Sequence, residues 1–175
     1  SSEGIWTQSA ALAAEGFPEI RMRIGVHTGV ALVGNMGSAI GRLSYTAIGD
    51  SINLTARLEG ANKEYGTEIL LTAETAAKLD GSIVLRRVDL VKVKGKNLAV
   101  ETLTPCADAE LAATSDAALN AYRSRDWAAS RALWQKALAA APGDSIAKMY
   151  LQRIDHFEQS PPPENWDGSA VLETK

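Results

Sequence analysis

Residues 45–59 constrain the fold of this chain more than any other stretch. They read Tyr45-Thr46-Ala47-Ile48-Gly49-Asp50-Ser51-Ile52-Asn53-Leu54-Thr55-Ala56-Arg57-Leu58-Glu59, which is the pattern of a strand, a tight turn at glycine and a helix. The helix puts Asn53 and Arg57 four residues apart on one face. At ~100° per residue the two lie within about 40° of each other, and Leu54, Leu58, Ala61 and Tyr65 form a separate stripe about 90° away. The stripe is expected to pack, which leaves an amide and a guanidinium for a ligand. Such a pair can orient a sugar oxygen and hold a phosphate, because the guanidinium fork is always charged and matches phosphate geometry. On the residues alone, the same pair also fits a solvated polar face on which Arg57 touches Glu59 or Glu64.

The neighbouring pattern predicts an α+β domain. Ile5 to Ala14 reads as the end of a helix, broken at Gly16, Phe17 and Pro18. Met22, Ile24 and Val26 alternate with polar residues, which predicts a half-buried strand from Arg21 to Val26. Ala31–Gly34 and Leu43–Ile48 read as the arms of a hairpin whose turn region carries Gly34, Gly37 and Gly41. Asp50 or Ser51 is expected to cap the helix, which should stop at Gly66. Downstream, Glu68–Leu71 reads as a strand and Thr72–Leu79 as a short helix closed by Gly81. Ile83–Arg87, Leu90–Val93 and Val100–Leu103 read as an antiparallel series.

The texture changes at Pro105. Residues from about 107 to 159 are alanine-rich and helical, and Trp127, Ser130, Trp134 and Ala137 stand 15, 12, 8 and 5 residues before Pro142. This spacing resembles the second half of a tetratricopeptide repeat. One helical hairpin plus Ser145–Gln159 is too little for a free solenoid, so these helices must pack on the preceding part or on another chain. Residues 161–168, Pro161-Pro162-Pro163-Glu164-Asn165-Trp166-Asp167-Gly168, read as an extended strap that Trp166 could anchor. The expected division is residues 1–105 and a helical extension with a proline-rich tail at 106–175.

Composition removes several classes. Lys and Arg number 18 against 21 Asp and Glu, a formal net charge of −3, so no nucleic-acid partner is implied. A single cysteine, Cys106, cannot make an internal disulfide framework or a cysteine-based zinc site. No apolar run approaches the roughly 18 residues of a membrane span. The start, Ser1-Ser2-Glu3-Gly4, has neither a charged n-region nor an apolar h-region, and the chain reads as part of something longer. His27, before Thr28-Gly29, reads as a histidine of the fold, and His156 has no partner motif.

Taken together, Arg23-Ile24-Gly25-Val26-His27-Thr28-Gly29, the glycine-marked hairpin and Ile52-Asn53-Leu54-Thr55-Ala56-Arg57 resemble the catalytic domain of the class III nucleotide cyclases, over about residues 18–104. The resemblance implies a ferredoxin-like cyclase fold, here without its N-terminal half, followed by the small all-α extension. It implies formation of cyclic AMP and pyrophosphate from ATP by attack of the ribose 3′-oxygen on the α-phosphate. Asn53 and Arg57 match the family's transition-state pair. Thr46, seven residues before Asn53, matches the purine-contacting position and leans towards ATP. Lys94 matches the pyrophosphate contact more closely than Lys96. The family uses Mg or Mn, whose carboxylate ligands lie in a Phe-x-Asp-Ile strand followed later by Gly-Asp, a pair that this sequence does not contain; Gly49-Asp50 has no such strand before it, and Asp50 reads as a helix cap. The family's sites form between two domains, so a second cyclase domain is the expected partner, in a homodimer that the hairpin reaches across. The resemblance also implies a cytoplasmic location, with membrane attachment only through upstream segments. Non-catalytic pairing with a complete domain, guanylate cyclase activity, and an interaction module centred on residues 107–159 are the alternatives.

Overall fold

The computed structural model describes residues 12, 14–18, 21–37, 44–93 and 99–172. The alternating segment forms strand β1 (Ile24–Val26), shorter than its pattern. β2 (Leu32–Met36) and β3 (Ser44–Ile48) pair antiparallel as a separate ribbon. Helix α1 (Asp50–Tyr65) follows at once. Then come β4 (Ile69–Thr72) and a single turn, α2 (Ala73–Ala76). β5 (Leu85–Val93) and β6 (Ala99–Pro105) are the long strands. Three helices, α3 (Ala109–Arg123), α4 (Trp127–Ala140) and α5 (Ser145–Gln159), precede a final strand, β7 (Ala170–Leu172).

The main sheet has the order β1-β4-β6-β5-β7. It is mixed: β5 and β6 pair antiparallel, as read for that series, while β1 runs parallel to β4, and β7 parallel to β5. The predicted strands at Ile83–Arg87 and Leu90–Val93 are one strand, bent where the pairing with β6 shifts between Arg87 and Asp89. The inserted residue, Val88, breaks the two-residue alternation, and both Val88 and Asp89 are fully buried. That break is why the sequence pattern looked like two elements.

The stripe on α1 packs as expected, with Leu58, Ala61 and Tyr65 buried and Leu54 partly so. The same apolar cluster continues through Leu70, Val88 and Val91 into Leu119, Trp134, Tyr150 and Ile154 of the later helices. The extension therefore packs on the sheet. Its helices are capped by Asp108, Asp126 and Asp144, each of whose carboxylates accepts backbone N–H bonds from the first turn. Ser130, Trp134 and Ala137 face inward on α4, and the Ser130 hydroxyl donates to the Ala118 carbonyl of α3 at 3.0 Å. Trp134 stacks flat on Tyr150 with ring centres 4.7 Å apart. The strap seats Trp166 against Tyr122, Trp127 and Phe157, and Arg125 donates to the carbonyls of Pro163 and Glu164. Beyond the strap, β7 closes the β5 edge of the sheet. Three residues of Ala-Val-Leu were too short to signal a strand in the sequence.

Among the described residues, no helix is long and apolar enough to cross a membrane.

Candidate functional site

The site is built on the first half of α1. β3 delivers the chain into Gly49, whose φ of 135° makes the turn, and the helix begins at the next residue. Gly49 is thus the N-cap. Asp50 and Ser51, expected as caps, lie inside the first turn, and no side chain caps the helix. Asp50 still contributes a negative charge near the positive end of the helix dipole. The first backbone bond runs from the Asn53 N–H to the Gly49 carbonyl at 3.1 Å, and Thr55 returns its hydroxyl to the Ser51 carbonyl at 2.8 Å.

Asn53 is exposed and Arg57 half-buried on this helix. The Nη1 of Arg57 is buried with no hydrogen-bond partner among the described residues. Glu59, one of its possible partners from sequence, is taken instead by the Arg23 Nε at 2.8 Å. A buried guanidinium nitrogen without an acceptor is unfavourable on its own, and its chemistry calls for an anionic oxygen. Thr46 is exposed on β3, opposite Gly34, on the strand that leads into α1. Lys94, Lys96 and Gly41 lie outside the described residues.

Gly25 fixes how closely α1 lies on β1. A Cβ there would strike the Thr55 carbonyl oxygen and come within 2.7 Å of the Glu59 backbone nitrogen. The two backbones touch at positions two residues to either side of Arg57. A glycine inside an alternating strand was the sequence signal for this approach. Asn62 adds a second tie, donating from Nδ2 to the Ile24 carbonyl at 3.1 Å and accepting from the Thr67 hydroxyl at 2.7 Å. His27 is held within the fold: its Nδ1 lies 2.9 Å from the Thr72 hydroxyl, with Thr75 and Thr28 joined alongside.

A cleft of about 560 Å³ opens at the far end of α1, lined by Arg21, Arg23, Glu59 and Lys63 among others. It includes neither Asn53 nor Arg57, so it is a different surface. Among the described residues, no group of three or more His, Cys, Asp or Glu side chains could hold a metal ion. The described residues alone do not fit the metal ions that the cyclase resemblance implies, and no step below runs through them.

The profile of the adenylate and guanylate cyclase catalytic domain matches residues 5–104. The chain belongs to this family. It is 43% identical over 93 residues to adenylate cyclase 1 of Rhizobium meliloti (strain 1021), covering 53% of this chain and 14% of that protein. It is 41% identical over 88 residues to an adenylate cyclase of Anabaena cylindrica, covering 49% of this chain and 17% of that protein. Among solved structures, the adenylyl cyclase CyaB from P. aeruginosa aligns with a TM-score of 0.47 and 31% identity, covering 57% of this chain and 50% of that one. The chain thus spans only about a sixth of the length of these curated relatives.

Proposed function

We propose that this chain is part of an adenylate cyclase and contributes the half of the active site that stabilises the transition state. The reaction joins the ribose 3′-oxygen of ATP to its α-phosphorus and breaks the bond to pyrophosphate, giving cyclic AMP. Negative charge builds on the α-phosphate oxygens as the new bond forms. A preorganised cation beside them lowers the barrier without reorganising at the moment of reaction. Arg57 takes that role, and its buried, unpartnered Nη1 is the observation that supports it most directly. Asn53, one turn earlier and exposed, orients the ribose. Thr46 contacts the purine and favours adenine, and Lys94 pairs with the leaving pyrophosphate.

Members of this family generally use Mg or Mn. Here the ions would be held by carboxylates outside the residues described above. The expected partner is a second cyclase domain, met through the β2–β3 ribbon, whose Leu32, Val33, Tyr45 and Ile48 are exposed. Residues 106–175 form the helical extension, with tetratricopeptide-like spacing, that backs the sheet.

The test is nucleotide turnover by the longer polypeptide of which this chain is a part. It should form cyclic AMP from ATP with a higher kcat/KM than cyclic GMP from GTP, and the 175-residue chain alone should form neither. A preference for GTP overturns the adenylate assignment. No cyclic nucleotide from either substrate overturns the enzyme reading and favours a non-catalytic pairing module.

A further inference from the structure

The C-terminal end of α1 is held by residues that lie 24 to 88 positions further along the chain. Tyr65, the last residue of the helix, donates its hydroxyl to Asp89 Oδ2 on β5 at 2.8 Å. The same oxygen accepts from Arg153 Nη1 of α5 at 2.6 Å. The Asp89 side chain is 1% exposed, so this is a paired charge inside the fold. The Tyr65 backbone carbonyl, one of the orphan acceptors of a helix end, accepts from the Ser145 hydroxyl at 2.6 Å. Ser145 is the first residue of α5. Gly66 completes the arrangement: it turns the chain at φ 65°, and a Cβ there would come within 2.6 Å of the Ser145 Cβ. The helix end and the start of α5 are therefore in direct contact.

Tyr65 and Arg153 are each held in one protonation state at this junction. Burial, and then the Asp89 carboxylate, push the Tyr65 phenol well above its ordinary range. Burial opposes the charge on Arg153, but Asp89 outweighs it and holds the guanidinium firmly protonated. Tyr65 thus stays a hydrogen-bond donor and Arg153 a cation.

We propose that Ser145 directly, and Arg153 through Asp89, are positioning residues for α1, so that the C-terminal helices set where Asn53 and Arg57 point. This rests on the reading of Asn53 and Arg57 given above. The leverage follows from helix geometry. Arg57 lies eight residues from Tyr65, ~12 Å of rise, so a tilt of about 5° at the clamped end moves it by roughly 1 Å. A displacement of that size at a reacting centre can cost on the order of 10²-fold in rate.

The test compares Tyr65→Phe combined with Ser145→Ala against Ser130→Ala. The control also removes a buried hydrogen bond of the extension, from the Ser130 hydroxyl of α4 to the Ala118 carbonyl of α3 at 3.0 Å, and that bond involves none of Tyr65, Asp89, Ser145 and Arg153. In the 175-residue chain, amide hydrogen exchange over residues 53–58 should rise at least about fivefold in the double variant and stay within about twofold in the control. In the longer polypeptide, kcat should fall about tenfold in the double variant, with KM for ATP within about twofold, and the control should keep its turnover. Unchanged exchange in α1, or equal effects from the control, overturns the clamp. A wild-type polypeptide without cyclase activity overturns the functional reading instead, and the exchange comparison still decides whether the clamp exists.

Discussion

The two ends of α1 meet opposite surroundings. Around its start, the β2–β3 ribbon leaves Leu32, Val33, Tyr45 and Ile48 exposed, and the Asn53–Arg57 face carries a buried nitrogen with no partner. Around its end, Tyr65 is bonded to Asp89, Arg153 and Ser145 are engaged, and none of the exposed large apolar side chains belongs to α3, α4 or α5. The apolar surface is saturated around the later helices and left open around the ribbon, whereas buried polar atoms without a partner occur on both sides: Arg57 Nη1 on one, and Asp116 Oδ1, Arg123 Nε and Trp134 Nε1 on the other. The lesson is a division of labour: stability resides in the sheet and its helical backing, and Asn53 and Arg57 sit on the side whose apolar surface is open. Such sites are expected to break local rules that the rest of a fold obeys.

This contrast can be broken from the saturated side first. Trp134 is fully buried and stacked on Tyr150. Trp134→Ala should destabilise the chain by about 3–5 kcal/mol, the scale for deleting a buried aromatic. Denaturant unfolding measures it, and a cost below ~1 kcal/mol would mean that the core does not run through the extension.

At the junction of the two halves, Gly25→Ala should cost about 1–3 kcal/mol, because the added methyl meets the α1 backbone rather than a movable side chain. It should also lower turnover in the longer polypeptide by shifting Arg57. Full stability together with full turnover would show that α1 can move away from β1 freely.

Acid should loosen the saturated half. Side-chain bonds from Lys92 and Ser169 hold Asp167 well below the usual carboxylate range. Burial works against the charge on Glu101, but bonds from Arg123 and Arg87 leave it depressed as well. A depressed folded-state value means stability that is fully present above the unfolded pKa, ~4, and lost as pH falls through the lower folded value. Asp116 has the opposite sign, raised first by burial, and offsets part of the loss. The thermal transition should therefore fall below about pH 4, less steeply in Glu101→Gln and Asp167→Asn. A transition that holds steady to pH 3 would contradict the assignment.

The smallest effect belongs to the open half. Tyr45 is 75% exposed, so Tyr45→Ser should leave unfolding within about ±0.5 kcal/mol. Self-association at micromolar concentration, read by light scattering, should weaken. A large stability loss would show that the ribbon is already part of the chain's own core.

The same division separates what the sequence disclosed from what it did not. The α1 stripe of Leu58, Ala61 and Tyr65 repeats at the helical period, and its burial was legible at once. Ser130, Trp134 and Ala137 stood out in the sequence by their spacing before Pro142, and the structure buries all three on α4. The bulge at Val88 was hidden because it breaks the alternation on which strand recognition depends. The N-cap was misassigned because a glycine turn at Gly49 replaced the side-chain cap that Asp50 offered. The Tyr65–Asp89–Arg153 junction was invisible because its members come from three elements, and nothing local marks an ion pair 64 residues apart. Asn53 and Arg57 were readable as a pair from their four-residue spacing, but the buried nitrogen of Arg57 required the packing of α1 on the sheet to appear.

The most direct measurement is the turnover of Arg57→Ala and Asn53→Ala in the longer polypeptide at saturating ATP, alongside their thermal transitions. The account predicts that Arg57→Ala lowers kcat by roughly 10²–10³, the scale for one lost transition-state donor, with a smaller change in KM and a nearly unchanged transition. Asn53→Ala should behave similarly. Near-normal turnover in both variants would contradict the account.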